Sequence, residues 1–412
     1  MTAASPSDPR SVVETAARES YGRLIAYLGG RSGDLAAAED ALAVAFLTAL
    51  EKWPVSGVPD NPDAWLLTVA RRRKLDERRK AEVRGNSASH LDLIAAEIIA
   101  ASELENDIPD RRLALMFACA NPRIEAAAQT PLILQTVLGL TSTEIAARFL
   151  ISPKAMNQRL VRAKTRIKNE KIPFIVPEME ELQTRLPAVL AAIYAGYTNG
   201  WMDIDGAQTL AHEAIWLARV VVSLLPEEPE PKGLLALMLY SEARRSARQD
   251  ADGAFVPLDE QDTGLWNRTH LNAAEALLDR ANAIGQTGRY QIEAAIQSAH
   301  VARRLDGVSN WQAILSLYDI LKQIAPSPVV MLNRSAALAR NGRADEAIHD
   351  ILQLAENPKM AGYLPYWAAR ARICADLGRR ADAAEAFTLA IGLCWATGER
   401  RHLEQQRSKI FG

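Results

Sequence analysis

Apolar side chains recur every three or four residues along most of this chain, which is the spacing of amphipathic helices. The clearest example runs from Asp34 to Trp53. We predict that its inward face consists of Leu35, Ala38, Leu42, Ala45, Phe46, Ala49 and Leu50. Proline and glycine cluster between the periodic segments, and few segments alternate as strands do. The pattern predicts an all-α fold.

A loop rich in Pro and Gly, residues 55–62, is followed by a helix that begins at Pro62-Asp63. Its apolar residues, Trp65 among them, are predicted to face inward. Seven cations then crowd about three turns: Arg71, Arg72, Arg73, Lys74, Arg78, Arg79 and Lys80. We interpret this cluster as a surface for a polyanion. The alternative is an exposed helix end whose cations complement the helix dipole.

Residues 140–171 are predicted to form two short helices joined by a tight turn. Ser152 is suited to cap the second helix and Pro153 to occupy its first position. Met156, Leu160 and Ala163 would face inward. The opposite face is polar and basic, with Lys154, Asn157, Gln158, Arg159, Arg162, Lys164 and Arg166. This pattern indicates a helix-turn-helix that places amides and cations on DNA. A plain helical hairpin with a solvated basic face is the alternative.

The charge distribution also points to a polyanion. Among 412 residues with a net charge of −2, residues 1–172 hold 24 Lys and Arg against 21 Asp and Glu, whereas the remainder holds 24 against 29. The length suggests two or three domains. Three cysteines at irregular spacing fit a reducing cytosol, and no apolar run reaches 18 residues. We therefore expect a soluble cytoplasmic protein that meets no membrane.

The last part of the chain contains an internal repeat. Ala371, Gly378, Ala383, Phe387 and Ala390 reappear 36 residues earlier as Ser335, Gly342, Ala347, Ile351 and Leu354. Small residues at these positions are typical of tetratricopeptide-like (TPR-like) helix pairs. A separate stretch, residues 250–253, begins like a calcium loop, but position 12 would be Gln261 instead of an acid. We predict a polar turn there, with a glycine at positive φ.

Two stretches together resemble a known family. AEDALAVAFLTALEKW with NPDAWLLTVARRRKLDERRK resembles region 2 of extracytoplasmic-function (ECF) sigma factors, and LTSTEIAARFLISPKAMNQRLVRAKTRIK resembles their region 4. VSGVPDNPDAWLL, DADGAFVPLDEQDTGLW and APSPVVMLNRSAAL resemble the subgroup with a long C-terminal TPR-like extension. The resemblance implies region 2 over residues 9–85, a linker over 86–108, region 4 over 109–172 and the extension over 178–412.

The resemblance implies bacterial core RNA polymerase and promoter DNA as partners, and no cofactor. Asp40 and Phe46 would contact the polymerase. The region 2 residues Trp65, Arg71, Arg72, Arg73, Lys74, Arg78 and Arg79 would bind the −10 element. Lys154, Asn157, Gln158, Arg159, Arg162, Lys164 and Arg166 would bind the −35 element. We further expect the acidic extension to contact the basic front half and to regulate or support its activity.

An enzyme is not indicated, because the sequence has no phosphate loop, dinucleotide glycine pattern, metal spacing or triad signature. Three functions remain. The first is a polymerase specificity subunit. The second is a DNA-binding regulator that does not bind core polymerase, because Ala43 and Val44 stand where such sigma factors usually carry Gln and an acid. The third is a TPR-type interaction protein with incidental basic helices.

Overall fold

The computed structural model describes residues 12, 13, 16, 20–30, 34–81, 108–149, 151–173, 177–202, 208–250, 253–307, 310–394 and 397–412. The chain forms two compact units, residues 1–220 and 221–412. Within the described ranges the sole β contact is an isolated bridge between Gln249 and Phe255. The prediction of an all-α fold is confirmed.

The first unit begins with three helices that pack on one another: α1 (Tyr21–Gly30), α2 (Leu35–Ser56) and α3 (Pro62–Ala81). Asp34 caps α2 by accepting a hydrogen bond from the Ala37 amide at 3.1 Å. The Ser20 hydroxyl donates to Asp63 at 2.8 Å and so ties the start of α1 to α3. Capped ends and this polar tie fix the positions of the three helices.

Among the described residues, six more helices begin in this unit: α4 (Ile108–Cys119), α5 (Ala126–Thr136), α6 (Ser142–Phe149), α7 (Pro153–Glu170), α8 (Met179–Met202) and α9 (Gln208–Leu224). Helix α8 packs on α4 and α5. Arg185 of α8 donates to the Phe117 carbonyl at 3.3 Å, and Thr130 of α5 donates to the Ala188 carbonyl at 3.4 Å. Helix α8 is therefore part of the core of the first unit.

The second unit contains α10 (Pro229–Ala243), α11 (Arg268–Ala283), α12 (Arg289–Asp306), α13 (Trp311–Ile324), α14 (Pro328–Arg340), α15 (Ala344–Leu354), α16 (Leu364–Asp376), α17 (Arg380–Leu393) and α18 (Thr397–Phe411). The pairs α14–α15 and α16–α17 are helical hairpins that share one template. Gly342 (φ +78°) and Gly378 (φ +69°) follow the first helix of each pair. The other repeated positions are buried, so the predicted repeat corresponds to two hairpins.

Asp250 and Gly253 have the features expected of the predicted polar turn. Gly253 has φ +73°, and the Asp250 carboxylate accepts a hydrogen bond from the Ala254 amide at 2.8 Å. Residues 251 and 252 lie outside the described residues. Across the described ranges, no three His, Cys, Asp or Glu side chains lie close enough together to hold a metal ion. No helix within those ranges has the length and apolar character needed to span a membrane.

Candidate nucleic-acid interface

Helices α6 and α7 begin where the sequence predicts. The Thr141 amide donates to the Glu144 carboxylate at 2.7 Å, and the Glu144 amide donates to the Thr141 hydroxyl at 3.2 Å, which is a capping box. Ser152 accepts from the Ala155 amide at 3.2 Å, and Pro153 occupies the first position of α7. The capping box fixes where α6 begins, and Ser152 with Pro153 fixes where α7 begins.

One side of α7 is buried and the other carries the predicted DNA-facing residues. Met156, Leu160, Ala163 and Ile167 are buried, which confirms the predicted inward face. Lys154, Asn157, Gln158 and Arg162 are exposed. Their spacing of three and four residues places them on one face of the helix. This face therefore presents amide and cationic donors to solvent.

Val161 lies on the same exposed face of α7, with 54% of its surface accessible. Val161 was not among the residues predicted to face DNA. Its position, four residues after Asn157, gives the signal that could have identified it. An exposed apolar side chain among donors is suited to contact a thymine methyl group in a major groove.

Three further predicted residues of α7 contact protein groups. Arg159 is half-buried and donates to the Ala127 carbonyl at 3.3 Å. Arg166 pairs with Glu170 at 2.7 Å. Lys164 contacts Glu39 of α2 at 2.5 Å, and its side chain is 11% exposed. A contact between Lys164 and DNA stays a prediction, and it requires Lys164 to leave Glu39.

The contact between α2 and α7 consists of two ion pairs. Beside Lys164–Glu39, the Lys168 ammonium lies 2.7 Å from the carboxylate of Asp34. Burial raises the pKa of Glu39 above its ordinary value, although the charge and hydrogen bond of Lys164 oppose that rise. Burial therefore disfavours the charged form of Glu39 more than Lys164 favours it.

Helices α1 and α5 also meet closely. A Cβ atom on Gly22 would lie 1.9 Å from the Val137 carbonyl oxygen, just after the end of α5. Only glycine allows such an approach, because any side chain would push the two backbones apart. The α1–α3 group and the α4–α7 group are thus packed together in the first unit.

The solvent-facing side of α2 is partly apolar. Asp40 and Ala43 are exposed, Leu47 is 61% exposed and Leu50 is 41% exposed. The prediction that Leu50 faces inward is wrong, because Ala41 and Trp53 complete the buried stripe instead. Exposed leucines beside a carboxylate are typical of a protein-binding surface.

Phe46 and Trp65, predicted to contact polymerase and DNA respectively, are both half-buried. Trp65 packs edge-on against the buried Trp53, with ring centroids 5.4 Å apart. Arg71 places its guanidinium over the Tyr27 ring at 4.5 Å. These contacts hold the start of the basic segment against α1 and α2.

The remaining predicted cations of α3 lie further along the helix. Arg72 and Arg73 are exposed. The side chains of Lys74, Arg78 and Arg79 fall outside the described residues, although the α3 backbone is helical through Ala81. Of the predicted cations of α3 whose side chains are described, Arg71 contacts Tyr27 and Arg72 and Arg73 are exposed.

Comparison with known proteins gives two family matches. Residues 17–84, which contain α1, α2 and α3, match the Sigma-70 region 2 family, and residues 185–282 match a family of unknown function, DUF6596. An uncharacterized protein of Rhizobium meliloti (strain 1021) is 36% identical over 397 residues, covering 94% of this chain and 92% of that protein. No solved structure matches the chain.

Proposed function

We propose that this chain is an alternative sigma factor of the ECF type. It belongs to the same family as the uncharacterized Rhizobium meliloti protein, and it carries a sigma-70 region 2 domain at its N terminus. It binds bacterial core RNA polymerase and directs initiation at specific promoters. The observation that carries the proposal is the region 2 match over α1–α3, followed in the same unit by the α6–α7 helix-turn-helix.

Core polymerase docks on the exposed face of α2. Support comes from Leu47 and Leu50, whose apolar surface lies beside the exposed carboxylate of Asp40. Ala43 on the same face lacks the polar group that sigma factors of this type usually carry there. A DNA-binding regulator that does not bind core polymerase is therefore the second candidate.

Promoter DNA binds at two places. The exposed face of α7, from Lys154 to Arg162, enters the major groove of the −35 element. There Asn or Gln can make bidentate contacts with adenine, worth about 1–3 kcal/mol of discrimination each. The cations of α3 hold phosphates near the −10 element. What supports this division is the position of amides on α7 and of an Arg-rich end on α3.

The first unit, as it is packed here, cannot contact the −10 element and the −35 element at the same time. Elements centred near −10 and −35 are separated by roughly 85 Å along B-form DNA, at about 3.4 Å per base pair. Helices α2 and α7 instead touch through Glu39 and Lys164. We therefore assign the packed arrangement to a closed state, which opens when the protein binds polymerase and promoter.

The C-terminal extension supports or regulates this opening. Its first helix, α8, packs on α4 and α5 beside the helix-turn-helix. The two hairpins of the second unit are of the TPR-like type, which commonly presents a binding surface. A cytoplasmic location follows from the proposed partners.

The experiment that tests the proposal is run-off transcription with purified core polymerase, the full chain and a pool of genomic promoter fragments. Transcripts with defined starts that share −35 and −10 elements are expected. Asn157→Ala should reduce initiation about tenfold at these promoters, because one bidentate base contact is lost. Asn169→Ala, at an exposed position two turns away from the reading face, is the matched control.

The result separates the candidates. DNA binding without core binding or transcripts would favour the regulator. An equal effect of the two asparagine variants would remove Asn157 from the base-reading face.

A further inference from the structure

A cavity of about 220 Å³ lies within the second unit. It is an open pocket lined by the loop at residues 257–259 and by helices α12, α13 and α14. The side chains that line it include Asp259, His300, Trp311, Tyr318 and Arg340. The proposed promoter function uses none of these residues, although Asp259 lies in the stretch DADGAFVPLDEQDTGLW that resembles the subgroup with the extension.

Two guanidinium groups and one carboxylate lie at or beside the cavity. The carboxylate of Asp259 is shared by two guanidinium groups: Arg303 binds one oxygen, and Arg340 approaches the other at 3.0 Å. Burial alone would raise the pKa of Asp259, but the hydrogen bond and charge of Arg303, together with Arg340, hold it below its ordinary value. Two guanidinium groups against one carboxylate leave a net charge of +1.

His300 contributes polarity without charge. Burial, with the nearby charges of Arg303 and Arg244, lowers the pKa of His300 to about 4, so its imidazole is neutral at pH 7. Its Nδ1 atom is buried and has no hydrogen-bond partner among the described residues. Neutral imidazole supplies one donor and one acceptor to whatever occupies this region.

An aromatic wall completes the cavity. The Trp311 ring lies edge-on to the His300 ring, with centroids 5.5 Å apart. The Arg303 guanidinium lies over the Trp311 ring, 4.7 Å from its centroid. Burial raises the pKa of Tyr318, so its hydroxyl stays protonated and can donate. A flat apolar surface next to a cation and a few neutral donors is the usual composition of a small-molecule site.

We propose that this cavity binds a small organic monoanion, a carboxylate on a single planar ring, with the carboxylate on Arg340 and the ring against Trp311. Both arginines pair with Asp259, but Arg340 is the accessible one, because its side chain is 49% exposed whereas that of Arg303 is 14% exposed. The volume is below the roughly 300–1,000 Å³ of sites for drug-sized ligands, which favours a small ligand. The single net charge favours a monoanion over a phosphate dianion.

The test is isothermal titration calorimetry of the full chain with benzoate, and with inorganic phosphate as the competing anion. Benzoate is expected to bind at one site and phosphate not to bind there. Arg340→Gln should weaken benzoate binding about tenfold, the effect of losing a charge-assisted hydrogen bond. Arg343→Gln is the matched control, because Arg343 lies three residues away in an exposed pair with Glu346.

Arg340→Lys keeps the charge and loses the planar fork, so it should weaken binding less than Arg340→Gln. Melting curves of each variant show whether it is folded. Absence of benzoate binding to the folded wild-type chain, equal effects of the Arg340 and Arg343 variants, or phosphate binding as tight as benzoate would each overturn the proposal. None of these readouts depends on polymerase or promoter DNA, so the sigma-factor proposal is tested separately.

Discussion

Burial decides which side chains of this protein carry charge. His300 is neutral at pH 7 because burial and neighbouring cations oppose its protonation. Glu39 is affected in the opposite sense, since burial raises the pKa of its carboxyl group even with Lys164 in contact. Both side chains are polar groups that a solvated surface would leave at their ordinary pKa values. Each therefore links the stability of its surroundings to pH.

Acid should destabilise the second unit through His300. Its pKa is 6.5 as a free side chain and about 4 in the folded protein, so the unfolded chain binds the extra proton. The stabilisation is fully present above pH 6.5 and is lost as the pH falls towards 4. The shift corresponds to about 3 kcal/mol at most. Melting temperatures measured between pH 4 and 7 should fall less steeply for His300→Gln than for wild type.

His349→Gln is the control for this comparison, because His349 is exposed on α15. Its melting profile should follow that of wild type over the same pH range. A wild-type slope in the His300→Gln variant would show that another group with a lowered pKa, such as His402, causes the acid sensitivity.

Among the helices, α1 sets how closely the two parts of the first unit pack. Its Gly22 faces the Val137 carbonyl, and its Gly29 faces the side chain of Leu35 on α2. The neighbour of Gly22 is a backbone carbonyl, which cannot rotate away. The neighbour of Gly29 is the end of a flexible side chain, that of Leu35. The two glycines of one helix therefore differ in how well they tolerate a methyl group.

Gly22→Ala should separate α1 from the end of α5 and cost about 1–3 kcal/mol, as overpacking does. Hydrogen–deuterium exchange of the full chain should become faster in the α1 peptide and in residues 126–140. Gly29→Ala is the matched control, because the nearest atom to its Cβ is a Leu35 methyl at 2.9 Å. Unchanged exchange in Gly22→Ala would mean that the close approach is not maintained in solution.

The helical period predicts faces correctly where one buried stripe dominates. In α7 the spacing of Met156, Leu160 and Ala163 identified the inward face, and the Ser152-Pro153 pair identified the first turn. In α2 the same reasoning misplaced Leu50, because alanines and leucines surround the helix and many stripes fit. Only the packing of α2 against α1 and α3 selects the stripe that is buried.

The contact between α2 and α7 could not be predicted from the sequence. Glu39 and Lys164 are separated by 125 residues, and each looks like an ordinary solvated charge on its own helix. An ion pair between residues so far apart in sequence depends on how whole helices pack together. Local hydrophobic periodicity carries no information about that packing. The cavity near Arg340 was missed for the same reason, since it joins a loop to three helices.

At the scale of the protein, the closed state gives a direct prediction about distance. Fluorophores attached to Ala36→Cys on α2 and Thr165→Cys on α7 report the separation of the two regions; both positions are exposed. The three native cysteines are buried and should not react. Energy transfer should be high in the free protein and fall when core polymerase and promoter DNA are added together.

Non-promoter DNA with core polymerase provides the control, and it should leave most of the energy transfer in place. High transfer during active transcription would contradict the assignment of a closed state. Low transfer in the free protein would show that the packing of α2 against α7 does not persist in solution.

The two hairpins of the second unit have a consequence for how this family can change over time. Each is offset from the other by 36 residues, and each packs mainly on its neighbours along the chain. A gene can therefore gain or lose one hairpin as a module without disturbing the first unit. Insertions and deletions among descendants of this gene should fall in steps of about 36 codons here, whereas the segment that encodes α1–α7 should keep its length.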